Sequence, residues 1–314
     1  MPLGHRLLAL SVALIWGLNF IAIDASLTHF PPFFLVALRF TLIALPTVLL
    51  VPRPKVPVRW LVGYGIGFGT LQFLFLYWAM AAGMPAGLAS LVLQASAPFT
   101  VLLGAVLLRE RLSARQAVGI AVAVCGMALV GWQRAEHAAV LPFLLTLAGA
   151  FGWAIGNTCN RLARPANPLH LALWMSVVPP LPILALAFAV EGPGPIAASL
   201  ASVGTAAALP AVAGLAYTVV IGTVLGSGVW TWLMARHPAG VVAPFSMLVP
   251  VVGMAAAWMV LRESATPGEL VGSALVVGGV LLGSSQTRRP PRAEEPPPEP
   301  LPRDPGLEEA PAAR

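Results

Sequence analysis

Hydrophobic positions in this chain neither alternate nor form one-sided stripes. They run for about twenty residues at a time, and only a few polar residues separate one run from the next. About twenty residues is the length of an α-helix that crosses the hydrocarbon core of a bilayer. Ten such runs are legible: Leu7 to Ser26, Phe33 to Val51, Trp60 to Ala81, Gly87 to Leu108, Ala114 to Trp132, Val140 to Asn160, His170 to Val190, Leu209 to Met234, Val241 to Leu261 and Gly268 to Ser285. The pattern predicts an all-α integral membrane protein with ten transmembrane helices. Only the connection Glu191 to Ala206 is long, so no soluble domain is inserted between helices. The first run is too long, and too closely followed by others, to be a cleaved signal peptide.

Composition makes the bilayer a requirement. Hydrophobic residues are 58% of the chain, charged residues 10%, and the mean hydropathy is +0.85. Charge then sets orientation, because basic residues collect in cytoplasmic loops. With a cytoplasmic N-terminus the inner flanks hold Arg6, Arg53, Lys55, Arg59, Arg109, Arg111, Arg115, Arg161, Arg164, Arg236, Arg288, Arg289 and Arg292. The outer flanks hold only Arg134 and Arg262. Both termini are expected inside. The net charge of +6 is thereby accounted for by topology, and no basic patch remains for nucleic acid. Beyond Ser285 the composition turns to Pro, Glu and Arg, and residues 286–314 read as a disordered cytoplasmic tail.

The chain also repeats. A shift of 153 residues lays Pro85-Ala86-Gly87 on Pro238-Ala239-Gly240, Leu108-Arg109-Glu110 on Leu261-Arg262-Glu263, and Gly119 and Gly126 on Gly272 and Gly279. Trp16-Gly17-Leu18-Asn19 echoes Trp153-Ala154-Ile155-Gly156-Asn157 more loosely. The expected organisation is a short N-terminus at 1–6, five helices over 7–132, five more over 140–285, and the tail. An odd number of helices per copy turns the second copy upside down in the membrane. Inverted repeats of this kind build two alternative openings around one central site.

The tandem five-helix halves, Trp16-Gly17-Leu18-Asn19-Phe20, Leu38-Arg39-Phe40, Gly83-Met84-Pro85-Ala86-Gly87-Leu88-Ala89-Ser90 and Arg109-Glu110-Arg111-Leu112 resemble the EamA family of the drug/metabolite transporter superfamily. The resemblance runs from Leu7 to about Gly283. Arg53-Pro54-Lys55-Val56-Pro57, Ala89-Ser90-Leu91-Val92-Leu93-Gln94-Ala95 and Leu248-Val249-Pro250-Val251-Val252-Gly253 are most similar to members that export O-acetylserine and cysteine. The resemblance implies an inner-membrane carrier that exports small amino acids and related metabolites. Asp24 departs from it, since the family often carries a basic residue there.

The residues restrict the chemistry independently. Lys55 is the only lysine and follows no glycine-rich phosphate loop, so uphill movement would have to be ion-coupled. His5, His29, His137, His170 and His237 lie at helix ends or in loops and never pair at ligand spacing, so no metal site and no cofactor are expected. Cys125 and Cys159 fall inside helices, where buried thiols pack more often than they cross-link. No nucleophile arrangement appears, so an enzyme is not expected.

Candidate substrate-binding residues are the polar and aromatic groups inside the runs: Trp16, Asn19, Arg39, Gln72, Gln94, Trp153 and Asn157. Uncharged amides with aromatic flanks suit a small polar zwitterion, although each can equally bond a neighbouring helix. Asp24 lies about 4 Å, and Arg39 about 9 Å, inside the outer ends of the first two helices at 1.5 Å per residue. Two readings stay open for them: a mutual ion pair that holds those helices, or Arg39 on the substrate carboxylate with Asp24 on its ammonium or on a coupling proton. Gly65 with Gly69, Gly152 with Gly156, Gly222 with Gly226 and Gly279 with Gly283 permit close helix approach. Pro98 and Pro250, at nearly matching places in the halves, mark the expected gating helices.

Overall fold

The computed structural model describes residues 1–110, 112–136, 140–237 and 239–284. Arg111, His137, Pro238 and the expected tail therefore lie outside the described residues. Every described element is a helix. We number the long ones α1 (Leu3–Leu27), α2 (Pro32–Leu50), α3 (Val58–Ala81), α4 (Ala86–Leu107), α5 (Ala114–Glu136), α6 (Val140–Ala163), α7 (Pro168–Val190), α8 (Ala206–Arg236), α9 (Pro244–Leu261) and α10 (Pro267–Ser284). Among the described residues nine of these are long and apolar enough to cross a membrane, and α10 is apolar but shorter. The long connection holds one further helix, Pro193–Ala201. Large apolar side chains face outward, with Leu49 80%, Leu181 79% and Trp258 65% exposed. Such a surface is unfavourable in water and natural against lipid.

The repeat is written into the backbone in atomic detail. Arg109 and Arg262, 153 residues apart, are both left-handed, with φ of 54° and 59°. Just after each, a backbone N–H reaches back to close the helix end: Glu110 to the Gly104 carbonyl and Glu263 to the Ala257 carbonyl, both at 3.3 Å. Ser113 with Gln116 forms a reciprocal cap at the start of α5, and Thr266 with Glu269 forms its counterpart at the start of α10. Inside α3 the segment Gly65–Gln72 is wound as π-helix, and inside α8 so is Tyr217–Leu225. Each is braced by a threonine that donates five residues back, Thr70 to the Gly65 carbonyl at 3.2 Å and Thr223 to the Thr218 carbonyl at 2.8 Å. Run lengths did not foretell these π segments, because widening a helix by one residue per turn leaves its hydropathy unchanged.

Packing follows the same symmetry. α2 packs on α7, α4 on α9 and α5 on α10; α1 packs on α8 and α9, and α6 correspondingly on α3 and α4. The small residues lie where backbones touch. A Cβ at Gly119 would sit 2.6 Å from the Gly279 carbonyl oxygen, and one at Gly156 would sit 2.6 Å from the Phe68 Cβ. Fully buried Phe40, Ile43, Leu76, Tyr77 and Leu91 belong to the main core. Two expectations are corrected. Cys125 is exposed on α5 rather than buried, and His5 meets His237, Nδ1 to Nε2 at 2.6 Å, a pairing across 232 residues that local spacing could not reveal.

Candidate functional site

Arg39 is the organising residue. It sits on α2 with 5% of its surface exposed, deep enough that an uncompensated charge would be costly. Its guanidinium lies over the Phe73 ring at 3.9 Å, a cation–π arrangement, and near Phe40 at 5.4 Å. Nη1 donates to the Tyr77 hydroxyl and Nη2 to the Thr223 hydroxyl, each at 3.0 Å. Neither partner carries a negative charge, and among the described residues no carboxylate pairs with Arg39. Its Nε is buried without an acceptor. Thr223 spends its own hydrogen on the Thr218 carbonyl. Tyr77 accepts from Arg39, and among the described residues its own hydrogen meets no acceptor. Two donor hydrogens, one on Arg39 Nε and one on the neighbouring Tyr77 hydroxyl, are thus left in this cluster.

Of the two readings open for Asp24 and Arg39, the mutual ion pair is absent: Arg39 bonds Tyr77 and Thr223. Depth counted along two helices does not fix direction, and Asp24 lies instead within electrostatic reach of Glu263. Glu263 itself accepts from the amides of Ala86 at 2.8 Å and Gly87 at 3.1 Å, capping α4. A 137-residue shift, which relates Trp16 to Trp153, relates Asp24 to Arg161. At that opposite end Arg161 binds both oxygens of Glu110, Nη1 to Oε2 at 3.0 Å and Nη2 to Oε1. The hydrogen bond from Arg161 holds the Glu110 carboxyl below the usual carboxylate range. One end of the bundle therefore carries a bonded pair of opposite charges, and the other carries two carboxylates, Asp24 and Glu263, within electrostatic reach of each other. At that second end Glu191 caps α2 through the amides of Phe33 and Phe34, and burial pushes its carboxyl up against those two bonds.

Trp16 and Asn19 reach the Arg39 cluster through α8. Trp16 Nε1 donates to the Gly222 carbonyl at 3.0 Å, and a Cβ at Gly222 would lie 2.7 Å from Asn19 Oδ1. Gly222 adjoins Thr223, the partner of Arg39. Trp153 joins by a ladder of rings, Trp153 to Phe68 at 5.9 Å and Phe68 to Phe73 at 5.7 Å. Gln72 is 4% exposed with its Oε1 unpaired, and its backbone lies against Gly149 and Gly152 of α6. Two candidates stand apart from Arg39: Gln94 Nε2 approaches Met247 Sδ at 3.8 Å, and Asn157 Nδ2 donates to Thr100 at 3.1 Å. Pro98 and Pro250 are both buried within their helices. Sequence reasoning missed Tyr77 and Thr223. The 153-residue shift, carried from Thr70 to Thr223, was the available signal for the second.

Comparison with known proteins agrees with this architecture. The EamA-like transporter family matches residues 5–132 and 140–285. A "Probable amino-acid metabolite efflux pump" of Salmonella typhimurium is 42% identical over 281 residues, covering 88% of this chain and 93% of that protein. The protein of the same description from Escherichia coli is 40% identical over 282 residues, with the same coverage. A "Probable terminal-alkyne amino-acid exporter" of Streptantibioticus cattleyicolor is 29% identical over 208 residues, 65% of this chain and 66% of that one. A solved crystal structure shares the fold at a TM-score of 0.57 and 21% identity, covering 91% of this chain and 99% of its own. With two tandem matches, nine apolar spans and a shorter tenth among the described residues, and a backbone that repeats down to its caps, this chain is a multi-pass membrane protein that belongs to the EamA-like transporter family.

Proposed function

We propose that this transporter exports small amino acids and related metabolites, of the cysteine and O-acetylserine class, by alternating access. It does so in the inner membrane with both termini in the cytoplasm. The observation that carries the reading is Arg39, a buried cation whose bonded partners Tyr77 and Thr223 are neutral. A substrate carboxylate supplies the missing charge, accepting from Arg39 Nε and the Tyr77 hydroxyl. Membership of a transporter family and two relatives at 40% and 42% identity with efflux-pump descriptions support the class of cargo. The bias of basic residues toward one set of loops supports the orientation. The symmetry-related packing supports rocking of one half against the other.

The test is efflux of labelled cysteine and O-acetylserine from cells that express the full chain, beside Arg39→Gln at equal membrane abundance. The wild-type chain accelerates efflux and Arg39→Gln abolishes the gain. Efflux no faster than from empty cells would overturn the substrate class; undiminished efflux by Arg39→Gln would overturn the site.

A further inference from the structure

Asn19 Oδ1 is a buried acceptor that no donor satisfies. A buried polar atom left unpaired costs about 1–3 kcal/mol. This one lies against Gly222, whose neighbour Thr223 bonds Arg39 at 3.0 Å. Asn19 Oδ1, an orphan acceptor, thus lies at Gly222, while the guanidinium that carries the orphan donor Nε is bonded through Nη2 to the next residue of the α8 π segment. An α-amino acid carries the complementary pair on one carbon, an ammonium that only donates and a carboxylate that only accepts.

Resting on the carboxylate reading of Arg39, we infer that Asn19 is the residue that recognises the substrate ammonium, and that Gly222 is kept without a side chain so that the amide can face the cargo. Asp24, the sequence-based candidate for that role, is five residues further along α1, about 7.5 Å at 1.5 Å per residue, and within electrostatic reach of Glu263. A neutral amide suits a carrier better than a carboxylate, because an ammonium held by a full charge in low dielectric would leave slowly. Gly222 enforces the arrangement sterically: a methyl there would stand 2.7 Å from Oδ1, well inside contact distance.

The assay is ligand-dependent thermal stabilisation of the purified full-length protein in detergent. The probes are L-cysteine and 3-mercaptopropionate, which has the same carboxylate and thiol and no ammonium. The wild-type protein prefers L-cysteine by at least about tenfold, the scale of one hydrogen bond to a charged group. Asn19→Leu brings the ratio close to one by weakening only L-cysteine, and Gly222→Ala, which leaves Asn19 in place, lowers the ratio too. Arg39→Gln weakens both probes. An unchanged ratio in Asn19→Leu and Gly222→Ala overturns the ammonium assignment while leaving the carboxylate site intact. Equal binding of both probes by Arg39→Gln and wild type overturns the carboxylate reading, and this assignment falls with it.

Discussion

Replacing Gly119 by Ala should destabilise the protein, while the same change at Gly278 should not. A Cβ at Gly119 would lie 2.6 Å from the Gly279 carbonyl oxygen, 2.6 Å from the Gly283 nitrogen and 2.7 Å from the Gly283 Cα. Unstrained contacts of this kind need about 3.5 Å, so α10 must retreat by roughly 1 Å. Backbone atoms cannot rotate away as a side chain would. The retreat loosens a seam on which Ala123, Val130 and Val276 are buried to within 2% of their surface. Overpacking of this kind costs about 1–3 kcal/mol. Gly278 is the internal control, since a Cβ there meets nothing within 4 Å. Alanine in a helix interior is favoured over glycine by roughly 0.5–1 kcal/mol, so Gly278→Ala should stabilise slightly. Equilibrium unfolding in mixed micelles reads both, and the double variant Gly119→Ala/Gly279→Ala should cost less than the sum, because both methyls push on the same gap. Equal midpoints for Gly119→Ala and Gly278→Ala would refute the close approach of α5 and α10.

Glu110 is held below the usual carboxylate range by its hydrogen bond from Arg161, so its contribution to stability is full above the unfolded carboxylate value and is lost as pH falls through the lower folded one. Glu110→Gln should therefore melt below wild type at pH 7 and together with it at pH 2; a gap that persists in acid would point to packing instead. Glu263→Ala removes both acceptors from the start of α4 and should cost about 1–2 kcal/mol, measured by unfolding, with Glu263→Gln intermediate. Thr223→Val strips Arg39 of a partner and should slow efflux about tenfold, while Thr70→Val, its counterpart in the other half, should leave efflux within about twofold. Similar losses in both variants would assign the threonines to bracing the π segments alone.

The helices and their repeat were legible because run length and a fixed shift survive any local change of winding. Directions were not. Asp24 and Arg39 were given depths by residue count, yet depth carries no rotational information, and the guanidinium turned toward Tyr77 and Thr223 instead. The π segments compound this, since side chains counted at three and four residues drift off the expected face across Gly65–Gln72 and Tyr217–Leu225. Trp16, Asn19 and Arg39 were found together because α8 gathers them. Gln94 and Asn157 had the right chemistry and other neighbours, Met247 and Thr100, which no single-helix stripe could indicate.

The packing partners bear on how this protein is made. For each of the ten helices a principal partner lies in the other half of the chain: α1 with α8 and α9, α2 with α7, α3 with α6, α4 with α9 and α5 with α10. The first five helices leave the ribosome well before these partners exist, although α2 and α3 already meet one another through Arg39, Phe40, Phe73 and Tyr77. Until the second half arrives, Arg39 lacks Thr223 and α4 lacks the Glu263 cap. Completion of the fold therefore waits for the second half. Either half made alone is a substrate for membrane quality control, whereas the two halves made as separate polypeptides in one cell carry between them every contact needed to find each other.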